Sequence, residues 1–312
     1  MILPDFLKFN ESGLYCRAGD FYLDPQQPVM HAVISHAHGD HARRGNSQVY
    51  ATRPTAVVMQ HRFKKNAAKD FHLIPFHQPF TIGDVHLTFI PAGHILGSAQ
   101  VLMEYQGVKY LYTGDYKLQH DEACEPIEFV KADVLITETT FADPKVQHPD
   151  PVEEIKKLNE FPHNVLLGAY ALGKSQRLIH LIYQHCPQRK ILVHHSILPL
   201  NKIYESFSFL RPVYEPYNRR LMKDTDQGLV YIVPPMTFNS YFRAKNVVRV
   251  FASGWQHRQE AGGLELFVSD HADWNDILYT IEQVQPSEVW TLHGSGKFLK
   301  QHFEGRLTVK IL

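Results

Sequence analysis

Short runs of apolar and β-branched residues, separated by polar turns, recur through the first half of the chain and predict β-strands. A helical pattern occurs over residues 54–63, where Pro54 suits the first turn and Val57, Val58 and Phe63 can share one face. We therefore expect the first half to be rich in sheet. The predicted strands are residues 48–51, 85–91, 99–105, 108–113 and 133–139.

From about Pro144 strands and helices alternate. Helix-like residues 152–161 and 175–184 are interleaved with strand-like residues 164–170 and 190–194. Because each helix can carry the chain back to the start of the next strand, this order predicts a parallel α/β unit.

The end of this unit is marked by a change of pattern. Two more strands, 229–233 and 247–252, extend its sheet, and Gly262-Gly263 then interrupts the chain. A strand, a helix and a strand follow, and we expect them to return to the first domain. They are residues 264–268, 276–284 and 288–293. The predicted domains are therefore residues 1–145 with 264–312, and an inserted domain of residues 146–263.

Composition narrows the class of protein. Apolar residues make up 44% of the 312 residues, which is enough for a substantial core. No apolar run approaches the ~18 residues of a membrane span, and the N-terminus lacks the order of a signal peptide. We expect a soluble, cytoplasmic protein with no membrane partner. The 32 basic and 32 acidic residues balance, so net charge alone gives no argument for a polyanionic partner.

The cysteines and the histidines lead to different conclusions about metal binding. The three cysteines lie far apart and outside any Cys-x-x-Cys pair, which argues against disulfides and thiolate zinc sites and predicts reduced structural thiols. The 20 histidines are more than core packing usually needs. Their spacing then decides whether they are metal ligands.

The densest group is His36-Ala37-His38-Gly39-Asp40-His41, which follows an apolar strand. Three imidazoles and a carboxylate at a strand-to-loop turn can point inward together. Neutral imidazole and carboxylate suit zinc, and also manganese or iron. A histidine-rich surface loop is the alternative, and the spacing favours the metal site over it.

Four residues cannot close two metal sites, so further ligands are expected at strand ends, where the backbone is fixed. His94 follows one predicted strand and is flanked by glycines, which allow close approach of the backbone. Asp115 ends the next apolar strand, and His293 ends another. Each alone could be an ordinary structural residue, but their shared placement favours a site.

The ordered series Asp24, His36-x-His38-x-Asp40-His41, His94 and Asp115 resembles the four signature motifs of the metallo-β-lactamase fold, an αββα sandwich. Its members hold metal ions at the ends of their strands. The fold predicted by the resemblance is therefore α/β, with the sandwich interrupted by the inserted α/β domain.

Later motifs resemble one branch of that family. Glu138 in Ile-Thr-Glu-Thr-Thr-Phe, His271 in Ser-Asp-His-Ala-Asp and His293 in Leu-His-Gly look like the additional motifs of the β-CASP nucleases, which process nucleic acids. That branch carries an inserted α/β cap domain, which agrees with the insertion expected at residues 146–263. The resemblance covers nearly the whole chain and is strongest toward the bacterial DNA-ligase-associated exonucleases, relatives of the cross-link-repair and Artemis nucleases.

The resemblance implies a set of metal ligands. Two divalent ions are expected, with zinc favoured and manganese an alternative. Together they would activate a water for in-line attack of hydroxide on a phosphodiester. By the family's arrangement, one ion would be held by His36, His38 and His94, the other by Asp40, His41 and His293, and Asp115 would bridge them.

Other residues would support the reaction. Asp24 would orient a ligand histidine, although an aspartate before proline is also typical of a turn. Glu138 would support the Asp115 side of the site. His271 would contact the scissile phosphate or protonate the leaving oxygen, which suits a group titrating near neutral pH. The predicted catalytic residues are Asp40, Asp115, Glu138 and His271.

Basic residues are candidates for binding phosphate. Lys117, and Lys174 with Ser175 in a Gly-Lys-Ser turn, could bind a phosphate group. Further basic clusters could line a nucleic-acid track with aromatic residues as stacking platforms, or they could be ordinary solvated charge. These clusters are Arg43-Arg44, Arg62 with Lys64-Lys65, Arg219-Arg220, and Arg243 with Lys245 and Arg249.

The resemblance leaves the substrate open. A DNA exonuclease acting from a 5′ end in DNA repair, together with a DNA ligase and a helicase, is favoured by the Thr139-Thr140-Phe141 run, which resembles the DNA-repair members. An RNA-processing nuclease is the alternative, because RNA-processing members share a histidine at the position of His293. A small-molecule hydrolase would have no use for the large insertion, and a non-catalytic scaffold would not need the intact ligand set.

Overall fold

The computed structural model describes residues 2–218, 228–241, 247–255 and 264–312. Within them the chain divides into two compact units. The first comprises Met1–His120, Cys124–Gln147 and His271–Leu312, and the second comprises Asp121–Ala123 and His148–Asp270. The basic pairs Arg219-Arg220 and Arg243 with Lys245, the interruption at Gly262-Gly263 and the predicted boundary at residue 263 lie outside the described residues.

Strands outnumber helices in the described part of the chain. The strands are β1 (Leu7–Asn10), β2 (Gly13–Cys16), β3 (Phe21–Leu23), β4 (His31–Val33), β5 (Asn46–Ala51), β6 (Ala68–Leu73), β7 (Phe80–Ile82), β8 (Val85–Pro91), β9 (Ala99–Tyr105), β10 (Val108–Tyr112), β11 (Val134–Glu138), β12 (Asn164–Gly168), β13 (Lys190–Val193), β14 (Glu215–Pro216), β15 (Leu229–Val233), β16 (Val247–Ser253), β17 (Leu264–Phe267), β18 (Glu288–Leu292) and β19 (Thr308–Ile311). The helices are α1 (Arg53–Phe63), α2 (Pro151–Lys156), α3 (Lys174–His185), α4 (Leu198–Ser206), α5 (Pro235–Ser240), α6 (Trp274–Val284) and α7 (Lys297–His302).

Two sheets form the centre of the first unit. One contains β1 to β6 in sequential order, antiparallel from β1 to β3 and parallel from β3 to β6. The other has the order β19-β18-β11-β10-β9-β8-β7. Its members β10, β11, β18 and β19 run parallel, so the ends of these strands lie at one edge.

The core of the first unit lies between these sheets. Leu14 and Phe21 from the first sheet pack in one buried cluster with Val101, Tyr110 and Ile136 from the second. On the outer faces, α1 covers the first sheet through Met59, and α6 covers the second through Ile277 and Ile281. The layers therefore follow the order helix, sheet, sheet, helix, and the αββα sandwich predicted from the sequence is confirmed.

The second unit contains a parallel sheet with the order β14-β13-β15-β12-β16-β17. Central strands such as β12 and β15 are buried along their whole length, as parallel strands covered on both faces should be. The predicted alternation of strands and helices is therefore present in this unit. The strand expected at residues 264–268 was assigned to the first domain, but β17 pairs parallel with β16 and is the edge strand of this sheet, so it belongs to the second unit.

Most elements predicted from the pattern occur within two residues of the expected bounds, and β8 and β9 match them. The helix predicted at 152–161 is α2 followed by a short 3₁₀ helix, Lys157–Glu160. The edge strand β6 was not predicted, because most of its side chains are exposed and give no apolar alternation.

Two further features concern the cysteines and the helices. In the described residues Cys16, Cys124 and Cys186 are buried and form no disulfide. None of the helices there has both the length and the apolar composition needed to cross a bilayer.

We predict a pH-dependent destabilisation from Asp276, in the first turn of α6. Burial and the neighbouring Asp273 carboxylate raise the pKa of Asp276 from 3.8 to about 6. The unfolded chain ionises this group more readily, so its effect on stability worsens as pH rises from about 4 to 6. Asp276→Asn should therefore stabilise the protein at about pH 7.5 by roughly 1–2 kcal/mol, allowing for partial exposure, and by much less at about pH 4.

Urea denaturation of both proteins at the two pH values measures this difference. Asparagine keeps an oxygen that can accept the hydrogen bond from the Asp273 amide. Glu282→Gln, an exposed change on the same helix, is the control and should show no comparable pH dependence. An Asp276→Asn effect that is equal at both pH values would contradict the prediction.

Candidate metal centre

Three imidazoles meet at one point in the first unit. His36 and His38 follow β4, and His94 follows β8; the Nε2 atoms of His36 and His94 lie 3.2 and 3.0 Å from Nδ1 of His38. Asp115 follows β10, and its Oδ2 lies 3.6 Å from Nε2 of His36 and 3.8 Å from Nε2 of His94. All four donor atoms lie within 4.8 Å of one another. This donor set fits a divalent transition-metal ion.

A glycine allows the two loops that carry these ligands to approach. Gly114 has a φ of +56°, and a Cβ there would lie 2.8 Å from Cβ of Ser35. The residue before Asp115 must therefore lack a side chain for the loop after β10 to reach the loop after β4.

The protonation of the cluster suits metal binding. Burial lowers the pKa of His36 and of His94 well below the ordinary 6.5, so both imidazoles are neutral near pH 7. Burial opposes ionisation of Asp115, but the positive charge of protonated His41 and His271 outweighs it and holds the Asp115 pKa well below 3.8. Asp115 and Asp24 in turn outweigh burial and raise the pKa of His41 well above 6.5, so a metal ion at His41 would have to displace its proton. Neutral imidazole and ionised carboxylate are the forms that coordinate a cation.

Asp24 connects this cluster to the sandwich. Its buried carboxylate accepts hydrogen bonds from the Ser35 amide (2.7 Å), the Ser35 hydroxyl (2.5 Å), His41 Nδ1 (2.8 Å) and the Tyr112 hydroxyl (2.9 Å). Ser35 Oγ in turn lies 3.0 Å from Nδ1 of His36. Because the Nδ1 atoms of His36 and His41 are engaged in this way, their Nε2 atoms remain for a ligand.

The second group of predicted ligands is more open. Nε2 of His41 lies 3.3 Å from Oδ2 of Asp115 and 4.0 Å from Oδ2 of Asp40. The Asp40 side chain is 72% exposed, and the exposed His293 ring lies 5.1 Å from the His41 ring, centroid to centroid. The side chains of His41, Asp115, Asp40 and His293 are therefore neighbours. Asp40 and His293 nevertheless lie outside the tight clusters of donor atoms found among the described residues.

Glu138 and His271 form a pair beside Asp115. The Glu138 carboxylate lies 2.9 Å from Nδ1 of His271 and also accepts from the Tyr116 amide (3.0 Å) and the Thr140 hydroxyl (2.7 Å). Nδ1 of His271 is 3.9 Å from Oδ2 of Asp115. A carboxylate at Nδ1 fixes the ring and leaves Nε2 as the reactive nitrogen.

The lysine and serine residues predicted to bind phosphate have partners inside the protein. Lys117 Nζ is buried and donates to the His94 carbonyl at 2.5 Å. In the second unit, Lys174 is buried, donates to the Val268 carbonyl and pairs with Asp270 at 3.1 Å, while the Ser175 hydroxyl donates to the Tyr170 carbonyl at 2.7 Å. These contacts favour positioning roles, and phosphate binding by these groups stays a prediction.

Several basic residues border the loop that carries the histidines. Arg62 is exposed and donates to the Ala37 carbonyl at 2.5 Å. Arg43 donates to Gln26, whose amide donates to the Asp40 carbonyl at 2.7 Å. Arg44, Lys64 and Lys65 are also exposed in the first unit. In the second unit, Arg249 lies over the Phe238 ring, 4.4 Å from its centroid.

Sequence reasoning missed the residues that orient the ligands. Ser35, Tyr112 and Thr140 lie beside recognised motifs, but hydroxyl side chains carry no spacing signal of their own. Gln26 and Arg62 bind backbone carbonyls of the histidine loop, and no local pattern predicts that contact.

An αββα sandwich with clustered histidines and carboxylates at its strand ends defines the class of metallo-hydrolase folds. Residues 17–195 match the model of the beta-lactamase superfamily domain. This match covers more than half of the 312 residues, so the chain belongs to that superfamily. The resemblance to the metallo-β-lactamase fold and its β-CASP branch is confirmed at the level of the family.

Individual relatives extend the comparison. The chain is 32% identical over 310 residues to a probable DNA ligase of Opitutus terrae, covering 94% of this chain and 29% of the relative. It is 30% identical to the endoribonuclease YSH1 of Mycosarcoma maydis (49% of this chain, 22% of the relative) and 26% identical to an RNase J-like protein of Methanocaldococcus jannaschii (72% and 63%). The chain thus spans less than two thirds of each of these relatives.

A solved structure shares the fold. A protein of unknown function from Enterococcus faecalis superposes with a TM-score of 0.61 at 15% identity, covering 90% of this chain and 79% of that chain. This likeness concerns the fold alone.

We predict that Tyr112→Phe weakens metal binding by roughly 10-fold or more, because a lost hydrogen bond behind a ligand usually costs 10–100-fold in affinity. The change removes only the hydroxyl that donates to Asp24. Isothermal titration of the metal-free protein with zinc or manganese measures the effect.

Tyr110→Phe is the matched control. Tyr110 lies on the same strand and is also buried, but its hydroxyl accepts from the Leu3 amide, away from Asp24. It should keep the metal affinity of the unmodified protein. Equal affinities of all three proteins would mean that Tyr112 does not support the centre.

Proposed function

We propose that this protein is a metal-dependent nucleic-acid phosphodiesterase, acting as a DNA exonuclease from the 5′ end in DNA repair. The observation that carries the proposal is the convergence of His36, His38, His94 and Asp115 donors within 4.8 Å, in a sandwich of this superfamily. The alignment of 94% of the chain with a probable DNA ligase favours DNA and a cellular association with a ligase. We propose an association with a helicase as well, on the family resemblance alone.

The proposed ligands divide between two divalent ions, with zinc favoured over manganese. His36, His38 and His94 would hold one ion and Asp40, His41 and His293 the other, with Asp115 between them. Bound ions would neutralise phosphate charge and lower the pKa of a water at the site. We further propose that the first compact unit is the metallo-β-lactamase domain, that the second compact unit, which includes β17, is the cap, and that the protein works in the cytoplasm.

The chain's own residues would orient the substrate and move the proton. Glu138 holds Nδ1 of His271, so Nε2 of His271 is the nitrogen that can contact the phosphate or donate a proton to the leaving oxygen. Asp24 keeps Nε2 of His41 directed toward Asp115. The exposed Arg43, Arg44 and Arg62 would attract the phosphate backbone toward the histidine loop.

A second candidate is an RNA-processing nuclease of the same family. The imidazole of His293, 5.1 Å from the His41 ring, and the relatives described as an endoribonuclease and an RNase J-like protein favour it. Both candidates use the same metal centre, so the substrate is what separates them.

Asp115→Ala and His271→Ala should each abolish phosphodiester cleavage, but for different reasons. Asp115→Ala removes a shared ligand and should release metal, whereas His271→Ala should retain metal and lose roughly 10²–10⁴-fold in rate, as expected for a proton donor. Cleavage assays paired with metal analysis by mass spectrometry separate the two effects.

Asp84→Ala and His86→Ala are matched controls, because both residues are exposed and lie on the β7–β8 hairpin. They should cleave as the unmodified protein does. Full activity in either Asp115→Ala or His271→Ala would contradict the proposed mechanism.

A direct comparison of DNA and RNA cleavage identifies the substrate. Purified protein with manganese or zinc is given end-labelled single-stranded DNA and the matching RNA, each with and without a 5′ phosphate. We expect DNA to be shortened from its 5′ end. Preferential cleavage of RNA would instead support the second candidate.

A further inference from the structure

Large aromatic side chains are exposed where two neighbouring strands of the second unit end. Tyr170 follows β12 and is 54% exposed, and Trp255 follows β16 and is 49% exposed. The two strands are parallel neighbours, with Gly168 opposite Phe251, so both aromatic residues extend past the same edge of the sheet. Exposed aromatic residues grouped in this way usually mark a binding surface.

Neighbouring strands contribute further groups to this edge. His194 and His195 follow β13, with ring centroids 3.9 Å apart, and Met236, which is 87% exposed, follows β15. The sheet order places β13, β15, β12 and β16 side by side, and at about 4.8 Å per strand the four ends span roughly 14 Å. We call Tyr170, His194, His195 and Trp255 the aromatic edge.

The backbone that carries the aromatic edge is fixed by hydrogen bonds. The Tyr170 carbonyl accepts from both the amide (3.1 Å) and the hydroxyl (2.7 Å) of Ser175. The Gly254 carbonyl lies 3.2 Å from Nε2 of His148, and the Trp255 amide donates to Ser253 Oγ at 3.0 Å. A surface held in this way loses little conformational freedom when it binds a ligand.

The charge of the edge is compatible with a polyanion. The described segments that follow five of the six strands contain no aspartate or glutamate; they are residues 169–173, 194–197, 217–218, 234–240 and 254–255. After the sixth strand, Asp270 is paired with Lys174 and Arg177, so its charge is compensated. A phosphodiester backbone would therefore meet no uncompensated carboxylate in these segments.

We propose that the aromatic edge binds unpaired bases of a single-stranded nucleic acid by stacking. The proposal rests on the proposed function, because it takes nucleic acid as the substrate. The carboxyl ends of parallel strands are where open α/β sheets bind ligands. Every base offers a π-face to an aromatic ring, so such a surface holds single strands with little sequence preference.

The fluorescence of Trp255 can report on this binding. Of its three tryptophans, Trp274 and Trp290 are 7% and 0% exposed, so Trp255 is the one that a ligand can reach directly. Oligothymidylate and oligouridylate are titrated into the protein in the presence of a chelator, which prevents cleavage. We expect saturable quenching of tryptophan fluorescence, with weak quenching by a blunt DNA duplex, whose bases are stacked on each other.

Variants of Tyr170 and Trp255 test whether the aromatic edge is responsible for the binding. Tyr170→Ala and Trp255→Ala should each weaken binding of a labelled oligonucleotide, measured by anisotropy, by roughly 5- to 150-fold. Trp255→Phe should keep most of the affinity and lose the quenching. Tyr183→Ala is the matched control, because Tyr183 is 46% exposed on α3 of the same unit, and it should bind as the unmodified protein does.

The outcomes separate this proposal from the proposed function. If the double variant of Tyr170 and Trp255 binds the oligonucleotides as tightly as the unmodified protein, or if a duplex binds better than single strands, the aromatic edge is not a base-binding surface. If quenching and the variants behave as expected but the metal-loaded protein cleaves neither DNA nor RNA, the aromatic edge stands and the proposed activity fails.

Discussion

The buried carboxylate of Asp24 is the constraint on which the metal centre depends. A buried charge is costly unless its lone pairs are engaged, and here four donors engage them. Three of these donors belong to Ser35 and His41, which follow the first sheet, and the fourth is Tyr112 at the end of β10 in the second sheet. One side chain therefore ties both halves of the sandwich to the histidine loop. The fold fixes the ligands because the strands that supply these donors are fixed by the core.

A carboxylate holds Nδ1 of an imidazole at two places in the first unit, and the two imidazoles differ in exposure. Asp24 holds the Nδ1 atom of a proposed metal ligand, His41, whereas Glu138 holds Nδ1 of His271, which is 28% exposed beside the cluster. Burial keeps His36 neutral, while His271 retains access to solvent and to a substrate. The difference in exposure separates His36 and His41, which are buried in the cluster, from His271, which a substrate can reach.

The sequence was sufficient to predict the sandwich, because its motif residues resemble those of the metallo-β-lactamase fold, and strands such as β8 and β9 were predictable from their strong apolar runs. It was also sufficient to bring His36, His94 and Asp115 together, since neighbouring strands end at a common edge. It was insufficient for β6, whose exposed side chains lack a pattern, and for Tyr112, whose role depends on a contact with the other sheet. Phosphate binding was predicted for Lys174 from the Gly-Lys-Ser turn. The sequence did not predict that Lys174 is buried against Asp270, because spacing along the chain says nothing about a partner 96 residues away.

The backbone around His293 is held in place independently of its imidazole. The Leu292 carbonyl accepts from the amide (2.8 Å) and hydroxyl (2.9 Å) of Thr139, and Gly294 lies so close to Thr139 that a side chain there would clash. These contacts hold the backbone on both sides of residue 293 without using its side chain. The position of the loop therefore does not depend on the imidazole, but the φ of +49° at His293 lies in the left-handed region and disfavours β-branched replacements. The contacts among His36, His38, His94 and Asp115 do not involve residue 293, so a replacement there leaves them in place.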